Sequence, residues 1–183
     1  MALEIFVENL SARKVYDGGL SLNARLEVGM GGYAVAIDGE KPTALGTCGA
    51  GPCQIIVVHK KAGCGALGHY AADGKPASVA KGVQAMVARV GGAPVEAIVL
   101  AAGVIDKSEF DTEEYKPALL KQLGALFPTI HIVWQLTSKN EPLGACYYLP
   151  GKEQVGFFTE APGGFTGMAK PKDGVTLYSF GFS

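Results

Sequence analysis

The chain has 183 residues, a typical length for one domain. Hydrophobic residues make up 48% of it, enough to build a substantial core. Its 16 basic and 17 acidic residues give a net charge of −1, so electrostatics gives no reason to expect nucleic acid or an anionic membrane as a partner.

The N-terminal sequence MALEIFVENL has no basic segment followed by a long apolar stretch, so it does not match a signal peptide. No window approaches the ~18 uncharged apolar residues of a transmembrane helix. We therefore expect a protein that is cytoplasmic, or that reaches a target cell by a route without a signal peptide. The four cysteines are then expected to be reduced thiols.

Short apolar runs between glycines predict strands in the first third of the chain. These runs are EIFVE (4–8), RLEV (25–28), YAVAI (33–37) and QIIVVH (54–59). A helix follows, because Val79, Val83 and Met86 recur at helical spacing, and Gly91 and Gly92 predict its end. The run VEAIVLAA (95–102) predicts a buried strand.

A leucine stripe at helical spacing predicts a second helix in DTEEYKPALLKQLGALF (111–127), with Pro117 in or before its first turn. The alternating run IHIVWQL (130–136) predicts a strand that pairs with LGACYYL (143–149), followed by a turn at PGK. Further strands are predicted in VGFF and VTLYSFGF, separated by a long loop over 161–174. The sum is an α+β domain covering 1–183, with two helices packed on mixed sheet.

Cysteine and histidine cluster in the middle of the chain, and the spacing allows three interpretations. The residues are Cys48, Cys53, His59, Cys64 and His69. In the first interpretation the cysteines are small buried apolar residues, which suits Cys48 and Cys146 best, and His59 is the polar end of a strand. In the second, Cys48, Cys53, Cys64 and His69 hold zinc and stabilise a non-catalytic binding module.

In the third interpretation, Cys53 is a nucleophile activated by His69. A thiol with its ordinary pKa of ~8.5 needs a base or a cation nearby to react at neutral pH. Gly49 and Gly51 allow unusual backbone dihedrals in the turn before Cys53, and Pro52 stiffens it, so that peptide N–H groups there could form an oxyanion hole. A hairpin after Cys53 would return the chain at His69.

The pattern T47-x-G49-x-G51-x-C53, an apolar strand and then G63-x-G65-A66-L67-x-H69 resembles the bacterial chemotaxis glutamine deamidase family CheD. The resemblance covers about residues 40–158 and leaves 159–183 as a C-terminal extension packed on that core. It implies layered mixed sheets with a sandwich-like core and helices outside. It also implies that Cys53 is the catalytic nucleophile, His69 its base and Thr47 the residue that orients His69.

The wider superfamily includes the catalytic domain of the cytotoxic necrotizing factor toxins, which also deamidate protein glutamine. The resemblance therefore implies a cysteine hydrolase without a cofactor or metal, acting through a thioester on a chemoreceptor or, as a toxin or effector, on a host protein. Its partner would be a protein that presents a glutamine side chain. The sequence departs from the family at Pro52, where serine is usual, and in SKNEPLGA (138–145), where the family has Gly-Gly-Arg.

Two alternatives stay open on the sequence. The chain could be a catalytically idle interaction protein of the same fold. Cys64 could be a bystander or could form a regulatory disulfide with Cys53 or Cys48, and Tyr70 is expected to pack near the site without acting chemically. The sequence does not determine the oligomeric state.

Overall fold

Two β-sheets and two helices make up the described part of the chain. The computed structural model describes residues 3–8, 25–51, 53–71, 75–102, 112–124, 130–134, 143–158 and 178–179. The first sheet contains β1 (Glu4–Glu8), β2 (Arg25–Glu27), β4 (Ala44–Gly51), β9 (Leu143–Leu149) and β10 (Gln154–Phe158). The second contains β3 (Gly32–Ala36), β5 (Gln54–Lys61), β6 (Cys64–Tyr70), β7 (Ala97–Ala102), β8 (Ile130–Trp134) and β11 (Tyr178–Ser179).

The strand order is β1-β10-β9-β4-β2 in the five-stranded sheet and β11-β3-β6-β5-β7-β8 in the six-stranded sheet. Most neighbours are antiparallel, and the described parallel pairs are β1 with β10, β2 with β4, and β7 with β8. The α+β class that the sequence predicts is thus confirmed, and the two layered sheets are mostly antiparallel.

The sheets pack face to face. Side chains alternate along each strand, so one set lies between the sheets and the other lies on an outer face. In β5, Ile55 and Val57 lie in the layer between the sheets, whereas Ile56 and Val58 lie in the layer under the helices. Because β5 is apolar on both faces, it reads as one continuous hydrophobic run. Successive side chains of a strand point to opposite faces, so each residue's layer follows from its position.

The helices α1 (Pro76–Arg89) and α2 (Thr112–Leu123) lie on the outer face of the six-stranded sheet. Helix α1 begins with Pro76, whose fixed φ suits the first helical position. It ends at Arg89, just before Gly91 and Gly92, which have φ of 95° and 79°, so the predicted end is confirmed. Within the described ranges, neither helix is long and apolar enough to cross a membrane.

Two predictions about the later part of the chain are wrong. Strand β9 does not pair with β8; it lies between β10 and β4 in the other sheet. The segment containing α2 is a crossover connection that places β8 parallel to β7, while the short 3-10 turn Pro150–Lys152 joins β9 to β10 as a hairpin. Pro117 lies inside α2, the sixth residue of the helix, where it is exposed.

The structure describes only part of the C-terminal segment in which the sequence predicts strands and a loop. VGFF falls in β10, and of VTLYSFGF the structure describes β11, whose Tyr178 pairs with Tyr33 at the edge of the six-stranded sheet. The loop predicted over 161–174 and the helix end predicted at Pro128 lie outside the described residues.

Gly65 generates a prediction about packing between the sheets. A Cβ there would collide with the Tyr148 hydroxyl and would lie 2.5 Å from the Val58 carbonyl oxygen. We expect Gly65→Ala to lower the free energy of unfolding by about 3 kcal/mol, measured by urea denaturation. Gly151→Ala is the matched control, since a Cβ there meets nothing within 4 Å, and its change should stay within about 0.5 kcal/mol. Equal effects of the two substitutions would contradict this.

Candidate functional site

Thr47 and His69 meet across the two sheets. Thr47 is on the inner face of β4 and His69 on the inner face of β6, and their relative exposures are 0% and 3%. The Thr47 Oγ1 lies 2.8 Å from the His69 Nδ1. The two halves of the sequence motif therefore join in one buried hydrogen bond between strands of different sheets.

The Thr47 hydroxyl determines which nitrogen of His69 carries the proton. Its Oγ1 lies 2.6 Å from the Val28 carbonyl oxygen, which can only accept. A threonine hydroxyl has one proton, so Thr47 donates to Val28 and accepts from His69. Nδ1 of His69 must then be protonated, and Nε2 carries the lone pair of the neutral ring.

The Nε2 atom of His69 is buried and has no hydrogen-bond partner among the described residues. Leaving such an atom unsatisfied costs roughly 1–3 kcal/mol, which is why orphan polar atoms in a folded interior call for an explanation. Burial also lowers the pKa of His69 to about 4, so the ring is neutral at pH 7. His69 thus presents a buried, unprotonated nitrogen whose lone pair accepts no hydrogen bond from a described residue.

Cys53 lies on the same side of the six-stranded sheet as His69. Its neighbour two residues along, Ile55, pairs directly with His69 in the β5–β6 ladder. Cys53 and Ile55 both belong to the layer between the sheets. Cys53 is therefore diagonal to His69 on one face, a relation in which longer side chains can still meet. Its exposed fraction is 8%.

The connection between β2 and β3 runs from one sheet to the other beside this site. At its start the Val28 carbonyl accepts from Thr47, and at its end the Gly31 N–H donates to the His69 carbonyl over 2.8 Å. Between them Met30 places its Sδ 3.9 Å from the Cys53 Sγ while 69% of the residue stays exposed. This connection contacts all three motif residues.

Val28 and Met30 were not predicted from the sequence to belong to the site. A signal for Met30 exists in GMGG (29–32), because the glycines predict a turn and the turn carries one flexible apolar side chain. No comparable signal exists for Val28, which acts through its main-chain carbonyl.

The stretch TCGAGPC is not the simple turn that the sequence predicts. Strand β4 continues through it to Gly51, and its register against β9 shifts between Cys48 and Gly51. Gly49 has a φ of 65° at this irregularity, a conformation that favours glycine, as in β-bulges. This irregularity in β4 lies just before Cys53 in the chain. Pro52 lies outside the described residues.

Cys48 and Cys64 lie apart from Cys53 and His69, whereas Cys146 lies in the layer between the sheets, where it pairs with Thr47. Cys64 packs under the helices and Cys48 packs on the outer face of the five-stranded sheet, so both sheets separate them. Cys64 also lies at the hairpin turn between β5 and β6. At ~3.3 Å per residue, this turn is about 23 Å from Cys53 along the strand. The geometry excludes both suggested disulfides of Cys64 and does not bring the four suggested zinc ligands together. Tyr70 faces the helix layer, away from His69.

No protein-family model matches the chain, and no curated protein sequence is significantly similar to it.

The buried His69 generates a prediction about pH and stability. Its pKa of about 4 lies below the ordinary 6.5, so the unfolded chain takes up the proton first. Its contribution to stability is complete above pH 6.5 and is lost as the pH falls toward 4, by up to about 3 kcal/mol. We expect the stability difference between wild type and His69→Gln to shrink by that amount over this range, measured by urea denaturation at each pH.

Contributions of His59, whose pKa burial also lowers, are common to both proteins and cancel in the difference. A difference that stays constant from pH 6.5 to 4 would contradict a buried neutral His69.

Proposed function

We propose that the chain is a cysteine hydrolase that deamidates glutamine side chains of proteins. The observation that carries this proposal is the buried Nε2 of His69, which has no hydrogen-bond partner in the described part of the chain. The Thr47–Val28 hydrogen bond keeps it unprotonated on the face that Cys53 shares. A neutral imidazole whose other nitrogen is hydrogen-bonded is the arrangement that activates a thiol in nucleophilic catalysis.

In the proposed reaction the Nε2 of His69 takes the Cys53 proton as Sγ attacks the carboxamide carbon of glutamine. Peptide N–H groups of the chain entering Cys53, in the segment that holds Gly49 and Gly51, stabilise the oxyanion, while Pro52, which has no N–H, stiffens that segment. The proton passes from Nε2 to the departing nitrogen, which leaves as ammonia, and a thioester forms. Water then loses a proton to Nε2 and hydrolyses the thioester, which gives glutamate and restores the thiol.

Thr47 is a positioning residue in this mechanism. Because its hydroxyl accepts from Nδ1–H, it holds the tautomer in which Nε2 can act as the base, as the third group of a catalytic triad does. If an amine of another molecule replaced water, the same site would carry out transglutamination.

Met30 supports a protein as the substrate. Its side chain is 69% exposed and touches the Cys53 sulfur, so a glutamine that reaches Cys53 passes beside it. A thioether is an adaptable apolar contact for the methylene groups of that side chain. We propose a chemoreceptor or, for a toxin or effector, a host protein as the target, where the reaction adds one negative charge. The proposal requires no cofactor.

The alternative of a zinc-stabilised binding module gains no support from the geometry, because Cys48 and Cys64 lie in different layers from Cys53. The alternative of an idle protein of the same fold is separated from an enzyme by the reactivity of Cys53.

Iodoacetamide labelling tests that reactivity. We expect Cys53 to be alkylated first near pH 7, because Cys64 and Cys146 have pKa values raised by burial. His69→Ala should slow the labelling of Cys53 by about 10²-fold, since it removes the general base. Peptide mass spectrometry over time gives the rate at each cysteine.

Cys48→Ser is the control for this experiment, because Cys48 is partly buried and its sulfur is 3.1 Å from a Glu27 oxygen, away from His69. It should leave the labelling of Cys53 unchanged. Equal and slow labelling of all four thiols in the wild type would count against a catalytic Cys53.

The activity itself is tested by incubating bacterial and animal cell lysates with the purified protein. We expect mass spectrometry to find a glutamine converted to glutamate in a small set of proteins with wild type and with Cys48→Ser, but not with Cys53→Ser. A conversion that persists with Cys53→Ser, or no conversion in either lysate, would refute the proposed reaction.

A further inference from the structure

We propose that His59, Glu96 and Glu153 form a binding site for a divalent transition-metal ion, with zinc as the best fit. The site lies at the opposite end of β5 from Cys53, six residues away, which is about 20 Å along a strand. It is separate from the Cys53–His69 site, and the proposal does not depend on the deamidase function.

The three side chains converge on one point. The His59 Nε2 lies 3.5 Å from the Glu96 Oε2 and 3.5 Å from the Glu153 Oε1. The three ligand atoms all lie within 4.8 Å of one another. Among the described residues this is the one group of histidine, cysteine and carboxylate side chains that meets that condition.

These distances suit metal ligands better than hydrogen bonds. A hydrogen bond from an imidazole N–H to a carboxylate is typically about 2.7–3.2 Å long. Two ligand atoms that each bind tetrahedral zinc at ~2.1 Å are about 3.4 Å apart. Both His59 separations are close to this second value.

The His59 Nε2 is an orphan polar atom that points into the group. The residue has 0% relative exposure, and Nε2 forms no hydrogen bond with a described residue. Its other nitrogen, Nδ1, is 2.6 Å from the Tyr148 hydroxyl. In the metal-binding tautomer Nδ1–H donates to the Tyr148 oxygen, an outer contact of the kind that fixes histidine ligands.

The local backbone is arranged around these side chains. Gly65 is the strand partner of His59, and the missing Cβ leaves the room that the Tyr148 hydroxyl occupies. Glu153 has a φ of 52°, a left-handed conformation that glycine or asparagine would adopt more readily. Uncommon backbone conformations of this kind concentrate at functional sites.

Charge and exposure indicate the type of ion. A neutral imidazole with two carboxylates carries a charge of −2, which a divalent cation neutralises. Imidazole favours zinc and similar transition metals, whereas magnesium and calcium prefer oxygen ligands alone. Glu96 is 55% exposed, so the fourth coordination position is open to water. The ion would link β5, the residue preceding β7 and the β9–β10 turn.

The test is metal titration of the full-length protein after treatment with a chelator. We expect one equivalent of zinc by isothermal titration calorimetry, and a cobalt spectrum without a sulfur-to-metal charge-transfer band. Glu96→Gln and Glu153→Gln should each weaken zinc binding by at least about tenfold, since loss of even an outer-shell group costs that much. Glu40→Gln removes an exposed carboxylate elsewhere and should bind zinc as wild type does.

Glu96→Gln is the decisive variant, because its exposed side chain can change without disturbing the core. Cys53→Ser should retain zinc binding, so a failure of the deamidase proposal leaves this result unaffected. Absence of saturable zinc binding in the wild type would overturn the site. So would binding that Glu96→Gln and Glu153→Gln leave unchanged, or a cobalt spectrum with a thiolate band.

Discussion

The arrangement of the Cys53–His69 site depends on the single proton of the Thr47 hydroxyl. The Val28 carbonyl takes that proton, so Thr47 can only accept from His69. As a result, Nε2, the nitrogen on the opposite side of the imidazole, carries no proton. A main-chain carbonyl in a loop thereby determines the chemistry of a side chain in a strand of the other sheet.

Two histidines of the six-stranded sheet cross an otherwise apolar layer to reach hydroxyls of the five-stranded sheet. His69 contacts Thr47 near one end, and His59 contacts Tyr148 near the other. Buried polar contacts are directional, whereas the apolar contacts between Val57, Val155 and their neighbours tolerate sliding. The two contacts together specify how one sheet lies on the other, and each leaves one imidazole nitrogen without a hydrogen bond among the described residues.

The strands and α1 could be predicted from the sequence because alternation and helical spacing are local properties. The partner of β9 could not, since pairing is decided by the crossover through α2 and by a three-residue turn. Cys53 and His69 could be proposed from their spacing, and Thr47 only from the resemblance to the deamidase family. Val28 acts through its backbone and leaves no trace in the sequence. The sequence predicts His59 only as the polar end of a strand, because its contacts with Glu96 and Glu153 join segments about 40 and 90 residues away.

The connection between β2 and β3 has two separate roles. Its backbone atoms at Val28 and Gly31 contact Thr47 and His69, whereas the Met30 side chain between them is largely exposed. A different side chain at position 30 would change what the surface accepts without moving the peptide groups on either side. For the deamidase proposed above, substitutions at position 30 would then change the target protein while the chemistry at Cys53 stayed the same.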